Sequence, residues 1–304
     1  MLGYFGPAGT FTHQALLTIS TEEAVPFATV GEALDAVRSG AVEAVMVPIE
    51  NSVEGGVSAT LDTLAAGRRL MIVREVLVPV QFNLYARPGT ALADVRRVIT
   101  HPHSAAQTRG WTAANLPSAV VVEGGSNAAS AIEVADPRSR FDAAICGQIA
   151  GEMYGLEAIA TRIADNDSAV TRFVLVARPA EPPARTGADK TTLVAYMHTD
   201  HAGALLEILE QFSGRGVSLC RIESRPTKTG MGNYCFSIDA EGHLRDPRVA
   251  EAMLGLHRIC EDVIFLGSYP RADAVRPAVA RGFTDSDFEA AVDWYATLVN
   301  PVND

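Results

Sequence analysis

Apolar and polar positions along the chain follow two successive patterns. Up to about residue 178, short apolar runs alternate with segments of 3.6-residue period. Met1 to Phe5, Ala44 to Val47, Gln81 to Ala86, Val95 to Thr100, Ala119 to Glu123 and Ala143 to Cys146 predict strands, while Ala33, Leu34 and Val37 mark a helix face between them. Apolar strands separated by amphipathic helices imply a parallel or mixed sheet covered by helices. Further breaks near Val78-Pro79 and Ile163-Ala164-Asp165 predict two lobes, roughly 1–78 with 164–178 and 79–163, with a cleft between them. From Arg178 to Gly187 three prolines in ten residues forbid a regular element and predict a linker, set at 179–189.

Beyond the linker the order changes. Strand Thr191 to Met197, helix Gly203 to Phe212, strands Val217 to Ile222 and Asn233 to Ala240, helix Pro247 to Ile259 and strand Val263 to Gly267 read as βαββαβ over 190–270. That order builds a ferredoxin-like antiparallel sheet with both helices on one face. Its other face needs a cover, for which dimerisation is the usual remedy. In the tail, 271–304, Phe288, Ala291, Val292, Tyr295 and Leu298 share a helical stripe of the kind that docks on a neighbouring surface.

Composition narrows the function classes. The 304 residues carry 25 Lys plus Arg against 36 Asp plus Glu, a net charge of -11, which argues against nucleic-acid binding. No run of 18 apolar residues is present, and the start Met1-Leu2-Gly3-Tyr4 lacks a basic segment ahead of an apolar core. The expectation is a cytoplasmic chain with no membrane partner. Cys146, Cys220, Cys235 and Cys260 are scattered in or beside apolar runs, favouring buried reduced thiols over zinc or disulfides.

Polar clusters recur where predicted strands end, the place at which open α/β sheets bind ligands. Pro48 is read as ending one strand, followed by Glu50, Asn51 and Ser52, with Gly55-Gly56 opening a helix through Leu61 and Leu64. Such glycines admit close backbone approach, and a helix N-terminus favours an anion. An ordinary strand-to-helix turn explains the same pattern. Gly6 to Thr12 follows the first strand, with Thr10 or Thr12 suited to cap a helix; its glycines miss a nucleotide loop. His101-Pro102-His103-Ser104 contains a His-x-His pair, yet without a neighbouring third ligand capping outweighs metal, and no metal is expected. Gly124-Gly125-Ser126-Asn127 repeats the grammar, and Asn166 to Phe173 leads into the apolar Val174 to Val176.

Together, Gly6-Pro7-Ala8-Gly9-Thr10-Phe11-Thr12, Pro48 to Gly56, Asn166 with Thr171-Arg172-Phe173, and Glu223-Ser224-Arg225-Pro226 identify a family resemblance from about Gly3 to Tyr269. The chain resembles the bacterial prephenate dehydratases that carry a C-terminal ACT regulatory domain. The resemblance implies a two-lobed, type II periplasmic-binding-protein-like α/β catalytic unit over 1–178 and a ferredoxin-like ACT domain over 190–270. It implies cofactor-free conversion of prephenate to phenylpyruvate, with Thr171, Arg172 and Phe173 as the catalytic motif. Thr171 then serves the departing hydroxyl, and Arg172 pairs with a carboxylate or braces Asp165 or Asp167. Thr10, Thr12, Glu50, Asn51, Ser52, Ser104, Ser126, Asn127 and Asn166 are the expected substrate-binding residues. Phenylalanine is the implied effector, held between two ACT domains by Gly203, Ala204 and Leu205 of one and Glu223, Ser224, Arg225 and Pro226 of the other. A homodimer or dimer of dimers follows. Arogenate as substrate, a non-catalytic amino-acid sensor and a solute-binding module are the alternatives.

Overall fold

The computed structural model describes residues 1–198, 201–227 and 234–299. Asp200 and Asn233, which the sequence assigns to a turn and a strand start, lie outside the described residues. The chain forms two compact units, residues 1–60 with 76–174 and residues 61–75 with 175–304.

The first unit is built from β1 (Leu2–Phe5), α1 (Phe11–Leu17), β2 (Val25–Phe27), α2 (Val30–Ser39), β3 (Ala44–Asn51), β4 (Gly55–Gly56), the start of α3 (Ser58–Ala65) and the end of β5 (Met71–Pro79). There follow β6 (Asn83–Ala86), a 3₁₀ turn at Leu92–Asp94, β7 (Arg97–Thr100), α4 (Pro102–Gln107), α5 (Arg109–Asn115), β8 (Val120–Glu123), α6 (Asn127–Ala135), β9 (Ala143–Cys146), α7 (Gln148–Met153), β10 (Glu157–Ala160) and most of β11 (Val170–Ala177). Two sheets result, ordered β2-β1-β3-β11-β5, with β4 on β3, and β10-β6-β9-β7-β8. β1 runs parallel to β2 and β3, and β7 parallel to β8 and β9, whereas β6 is antiparallel to β9 and β10. This is the expected two-lobed, type II periplasmic-binding-protein-like α/β unit. Each sheet is buried under helices by residues such as Val45, Val47, Ala33 and Leu34 in one lobe and Leu84, Ile145 and Ala131 in the other.

Two boundaries differ from the sequence reading at the place that matters most. β3 does not stop at Pro48. Its pairing with β1 covers only Ala44 to Met46, so beyond that point the missing proline N–H deprives β1 of nothing. Gly55 and Gly56 do not open a helix; they turn back as β4, pairing with Asn51 and Glu50, and α3 begins at Ser58. Strand β5 was not predicted because Arg74 and Glu75 interrupt its apolar run. Glu75 is 5% exposed and its charge is answered by Lys190 Nζ at 2.9 Å, a partner 115 residues away that no local pattern reveals.

The second unit completes β5 and β11 and adds β12 (Asp189–Met197), α8 (Ala204–Ser213), β13 (Leu219–Pro226), β14 (Tyr234–Glu241), α9 (Pro247–Ile259), β15 (Cys260–Pro270) and α10 (Asp285–Val299). The sheet β13-β14-β12-β15 is antiparallel throughout, the expected ferredoxin-like arrangement. One face packs on α8 and α9 through Leu193, Ala195, Ile208, Phe212, Ile238, Ala252 and Leu256.

Residues 61–75 of the same chain pack with this unit. A Cβ built on Gly267 in β15 would stand 2.2 Å from the Ile72 carbonyl oxygen, so only glycine permits this approach. Tyr196 donates to the Ala65 carbonyl at 2.9 Å, and Arg225 pairs with Asp62 at 3.0 Å. These contacts place residues 61–75 of the same chain against the sheet. Within that sheet Arg221 grips the fully buried Asp239 with Nε and Nη2 at 3.0 and 3.1 Å. The tail helix α10 meets α9 and buries no residue fully, and Val292, Tyr295 and Leu298 of its apolar stripe are each more than half exposed. Cys146, Cys235 and Cys260 are buried as expected, whereas Cys220 is exposed. Burial pushes the Cys146 thiol up to about 12.

Candidate active site

Sequence order places Asn51 and Thr171 far apart; the first sheet makes them neighbours. The end of β3 is tied to the start of β11 by a pair of bonds: Ser52 N–H donates to the Val170 carbonyl, and Val170 N–H to Ser52 Oγ, both at 2.9 Å. Ser52 is therefore a clamp. One residue along on each strand, Asn51 Nδ2 donates to Thr171 Oγ1 at 2.8 Å.

The orientation of the Asn51 amide is dictated by the hairpin. Its Oδ1 accepts Val53 N–H at 2.8 Å and Glu54 N–H at 3.2 Å, so the opposite group must be the NH₂. Thr171 Oγ1 consequently acts as acceptor toward Asn51, and the described hydrogen bonds leave its own O–H proton uncommitted. Donation into the oxygen polarises the hydroxyl and makes that proton a better donor. Thr171 is only 9% exposed, which strengthens the effect.

Next to it Arg172 is 5% exposed and reaches Glu50 Oε2 with Nη1 at 3.4 Å. Glu50 is its ion-pair partner in this site, in place of the bracing of Asp165 or Asp167 that the sequence reading weighed. Asp165 instead accepts Gly110 and Trp111 N–H at 2.8 and 3.0 Å, and Asp167 faces Arg162 at 3.6 Å. Phe173 is 2% exposed. Its ring lies in the interior beside Val174 and Val176 of the same strand, both fully buried.

A second cluster stands in the other lobe. Ser104 Oγ donates to Asn127 Oδ1 at 2.8 Å, which turns Asn127 Nδ2 away from it as a donor, while the Thr100 hydroxyl is spent on the Ile145 carbonyl at 2.7 Å. Ser126 Oγ accepts Ala129 N–H at 3.0 Å and caps α6, whose first residue is Asn127.

Glu54, at the tip of the β3–β4 hairpin, links the two clusters. Its carboxylate contacts His103 Nδ1 and accepts from Gln107 Nε2 at 3.4 Å, both on the helix that carries Ser104. Gln107 Oε1 is buried without a hydrogen-bond partner. The sequence reading passed over Glu54 and Gln107. The available signal was helical spacing, since Gln107 follows Ser104 by three residues and shares its face.

Other expected residues serve local structure. Thr10 donates to the Pro7 carbonyl at 3.1 Å and accepts from His13 N–H at 3.3 Å, so its hydroxyl holds its own loop and caps α1. Thr12 is buried, and Asn166 Oδ1 closes a turn with Ser168 N–H at 2.9 Å. In that loop His13 Nδ1 accepts Gly9 N–H at 3.1 Å and the ring stacks on Tyr4, while burial holds the imidazole below its ordinary pKa and keeps it neutral. His101 caps α4 through Nδ1, and its pKa is lowered first by burial and then by His103. Among the described residues no group of three or more His, Cys, Asp or Glu is arranged to hold a metal ion.

In the second unit a cavity of about 670 Å³ is lined by Ala204 and Ser224, one from each expected effector segment, together with Tyr196, Tyr234 and the Arg69–Asp262 pair. Gly203 leads into α8 with φ +99°, in the left-handed region that favours glycine. Leu205 is exposed, Glu223 leans on Arg221 at 3.4 Å, and Pro226 ends β13. No described helix is long and apolar enough to cross a membrane.

Comparison with known proteins places this geometry. A curated relative named prephenate dehydratase, from Amycolatopsis methanolica, is 45% identical over 300 residues, covering 98% of this chain and 97% of its own. A solved structure described as prephenate dehydratase in complex with L-Phe, from Arthrobacter aurescens, is 51% identical with a TM-score of 0.93, covering 98% of this chain and 99% of that one. Another, described as the quorum quenching acylase GqqA, is 30% identical with a TM-score of 0.78, covering 88% of this chain and 97% of that one. The shared architecture therefore hosts more than one named activity. Decisive for kinship are the near-full-length match to the first two and the sequence model of the prephenate dehydratase family, which fits residues 2–181. The chain belongs to the prephenate dehydratase family.

Proposed function

We propose that Thr171 is the proton donor in the conversion of prephenate to phenylpyruvate, CO2 and water. The observation that carries this is the Asn51–Thr171 hydrogen bond at 2.8 Å, which leaves the Thr171 proton free. Prephenate loses its ring carboxylate as CO2; the electron pair released enters the ring, the ring hydroxyl departs from the far carbon, and one proton is taken up to make water. Aromatisation drives the step, so the protein has to align the departing groups and donate to the leaving oxygen. A threonine hydroxyl is a weak acid, so Thr171 does not ionise: it donates a hydrogen bond to the leaving oxygen, and as its proton passes to that oxygen water returns one to Oγ1.

The buried Arg172 supplies positive charge behind β3, while Asn127 Nδ2 and the α6 N-terminus are the donors for a substrate carboxylate. No step calls for a cofactor. Residues 190–270 act in this reading as an ACT domain that binds phenylalanine near Ala204 and Ser224, in keeping with the L-Phe complex of the Arthrobacter relative. The chain works as a cytoplasmic homo-oligomer.

Incubating the purified chain with prephenate, with and without phenylalanine, tests the reading. Phenylpyruvate and CO2 are expected in equal amounts and at a lower rate with phenylalanine. Absence of phenylpyruvate overturns the catalytic assignment, and a rate indifferent to phenylalanine overturns the regulatory one.

A further inference from the structure

The cavity that Ala204 and Ser224 line lies wholly within the second unit, and its charges do not balance. Arg69 and Asp262 answer each other at 2.9 Å. Glu261, the residue before Asp262, lines the same cavity, is open to solvent and has no hydrogen-bond or ion-pair partner among the described residues. With His198 counted as neutral, one carboxylate is left over. Arg69 reaches Asp262 through Nη2 alone, so Nε and Nη1 keep donors for a second acceptor. The rest of the wall includes the apolar side chains of Met197, Phe236 and Ile264.

We infer that Glu261 is the residue by which this cavity demands an amino group. The inference rests on the effector reading above and names what that site selects. The ammonium of a free amino acid pairs with Glu261, its carboxylate takes the remaining Arg69 donors, and its apolar side chain lies against Phe236 and Ile264. Phenylpyruvate has the same ring and the same carboxylate as phenylalanine, with a ketone where the ammonium stands. An anion that brings no cation meets the surplus charge of Glu261 unfavourably, whereas the zwitterion supplies the matching group. Selectivity comes from this repulsion as much as from the new attraction. The cavity therefore ignores the 2-oxo acid that leaves the catalytic unit. It responds only once that acid has been aminated, so a reaction transferring an amino group to the product stands between the active site and the effector.

Displacement calorimetry with three probes provides the test: L-phenylalanine, 3-phenylpropionate, which lacks the ammonium, and phenethylamine, which lacks the carboxylate. The parent should bind phenylalanine at least about tenfold more tightly than 3-phenylpropionate, the worth of one hydrogen-bonded contact between charged groups. Glu261→Gln should lose at least about tenfold in phenylalanine affinity while 3-phenylpropionate binds as tightly or more tightly, which closes the gap. Arg69→Gln should weaken phenylalanine and 3-phenylpropionate alike and leave phenethylamine within about 2-fold, whereas damage to the fold would weaken all three probes in parallel. Phenylalanine affinity in Glu261→Gln within about 2-fold of the parent, or parallel weakening of phenylalanine and 3-phenylpropionate in that variant, overturns the inference and leaves the effector reading standing. A parent that does not bind phenylalanine overturns the effector reading itself.

Discussion

Replacing Asn51 by Asp isolates the hydrogen bond on which the proposed chemistry depends. The substitution keeps an oxygen for the Val53 and Glu54 N–H groups, so the hairpin persists, and it deletes the donor 2.8 Å from Thr171 Oγ1. Facing an acceptor, Thr171 turns its proton to residue 51, and the departing hydroxyl loses its donor. Proton assistance of this kind is worth about 10²- to 10⁴-fold, roughly 3 to 5 kcal/mol at 1.36 kcal/mol per decade. Asn51→Asp should therefore lower kcat by a factor in that range, matching Thr171→Ala. Because both changes remove the same interaction, the double variant should be no slower than the worse single one. KM should rise separately, since a new carboxylate confronts an anionic substrate. The assay is phenylpyruvate formation at saturating prephenate, with circular dichroism confirming the fold. A kcat within a few-fold of the parent, or losses that multiply in the double variant, would refute the reasoning.

Lys190→Met should destabilise the chain by about 3 to 5 kcal/mol in urea unfolding, since it strands the buried Glu75, and adding Glu75→Gln should recover much of the loss. Stability should be fullest above pH 6.5 and fall below it. His13 and His101 have native pKa values under the unfolded value of 6.5, so the unfolded chain takes up protons first; thermal melts from pH 7.5 to 5 check this, and His13→Phe should flatten the fall. A chain ending after Pro179 should melt well below the parent and bind a hydrophobic dye, because residues 61–75 lose the sheet they pack on; an unchanged melting point would contradict that packing.

Strands whose partners lie close in sequence, or whose apolar runs are unbroken, were legible. Ala143 to Cys146 and the helix Pro247 to Ile259 appear with the limits their patterns predict. β5 was not legible, because recognising a strand through Arg74-Glu75 requires knowing that Lys190 neutralises Glu75. The β3–β4 hairpin was hidden by Pro48, which reads as a stop yet sits where pairing with β1 has already ended. At the site, motif residues Asn51 and Thr171 were recognisable as candidates. What no pattern discloses is that Asn51 is held by Val53 and Glu54 so as to aim its NH₂ at Thr171. Arg172 shows the same limit: its partner Glu50 is 122 residues away, whereas sequence proximity favoured Asp165 and Asp167.

The most direct measurement of the central claim compares kcat for prephenate among the parent, Thr171→Ser and Thr171→Ala, with KM determined alongside. A hydroxyl that donates to the leaving oxygen predicts that serine keeps kcat within about tenfold, whereas alanine loses about 10²- to 10⁴-fold in kcat with little change in KM. Alanine turning over prephenate within a few-fold of the parent, or a loss confined to KM, would contradict it.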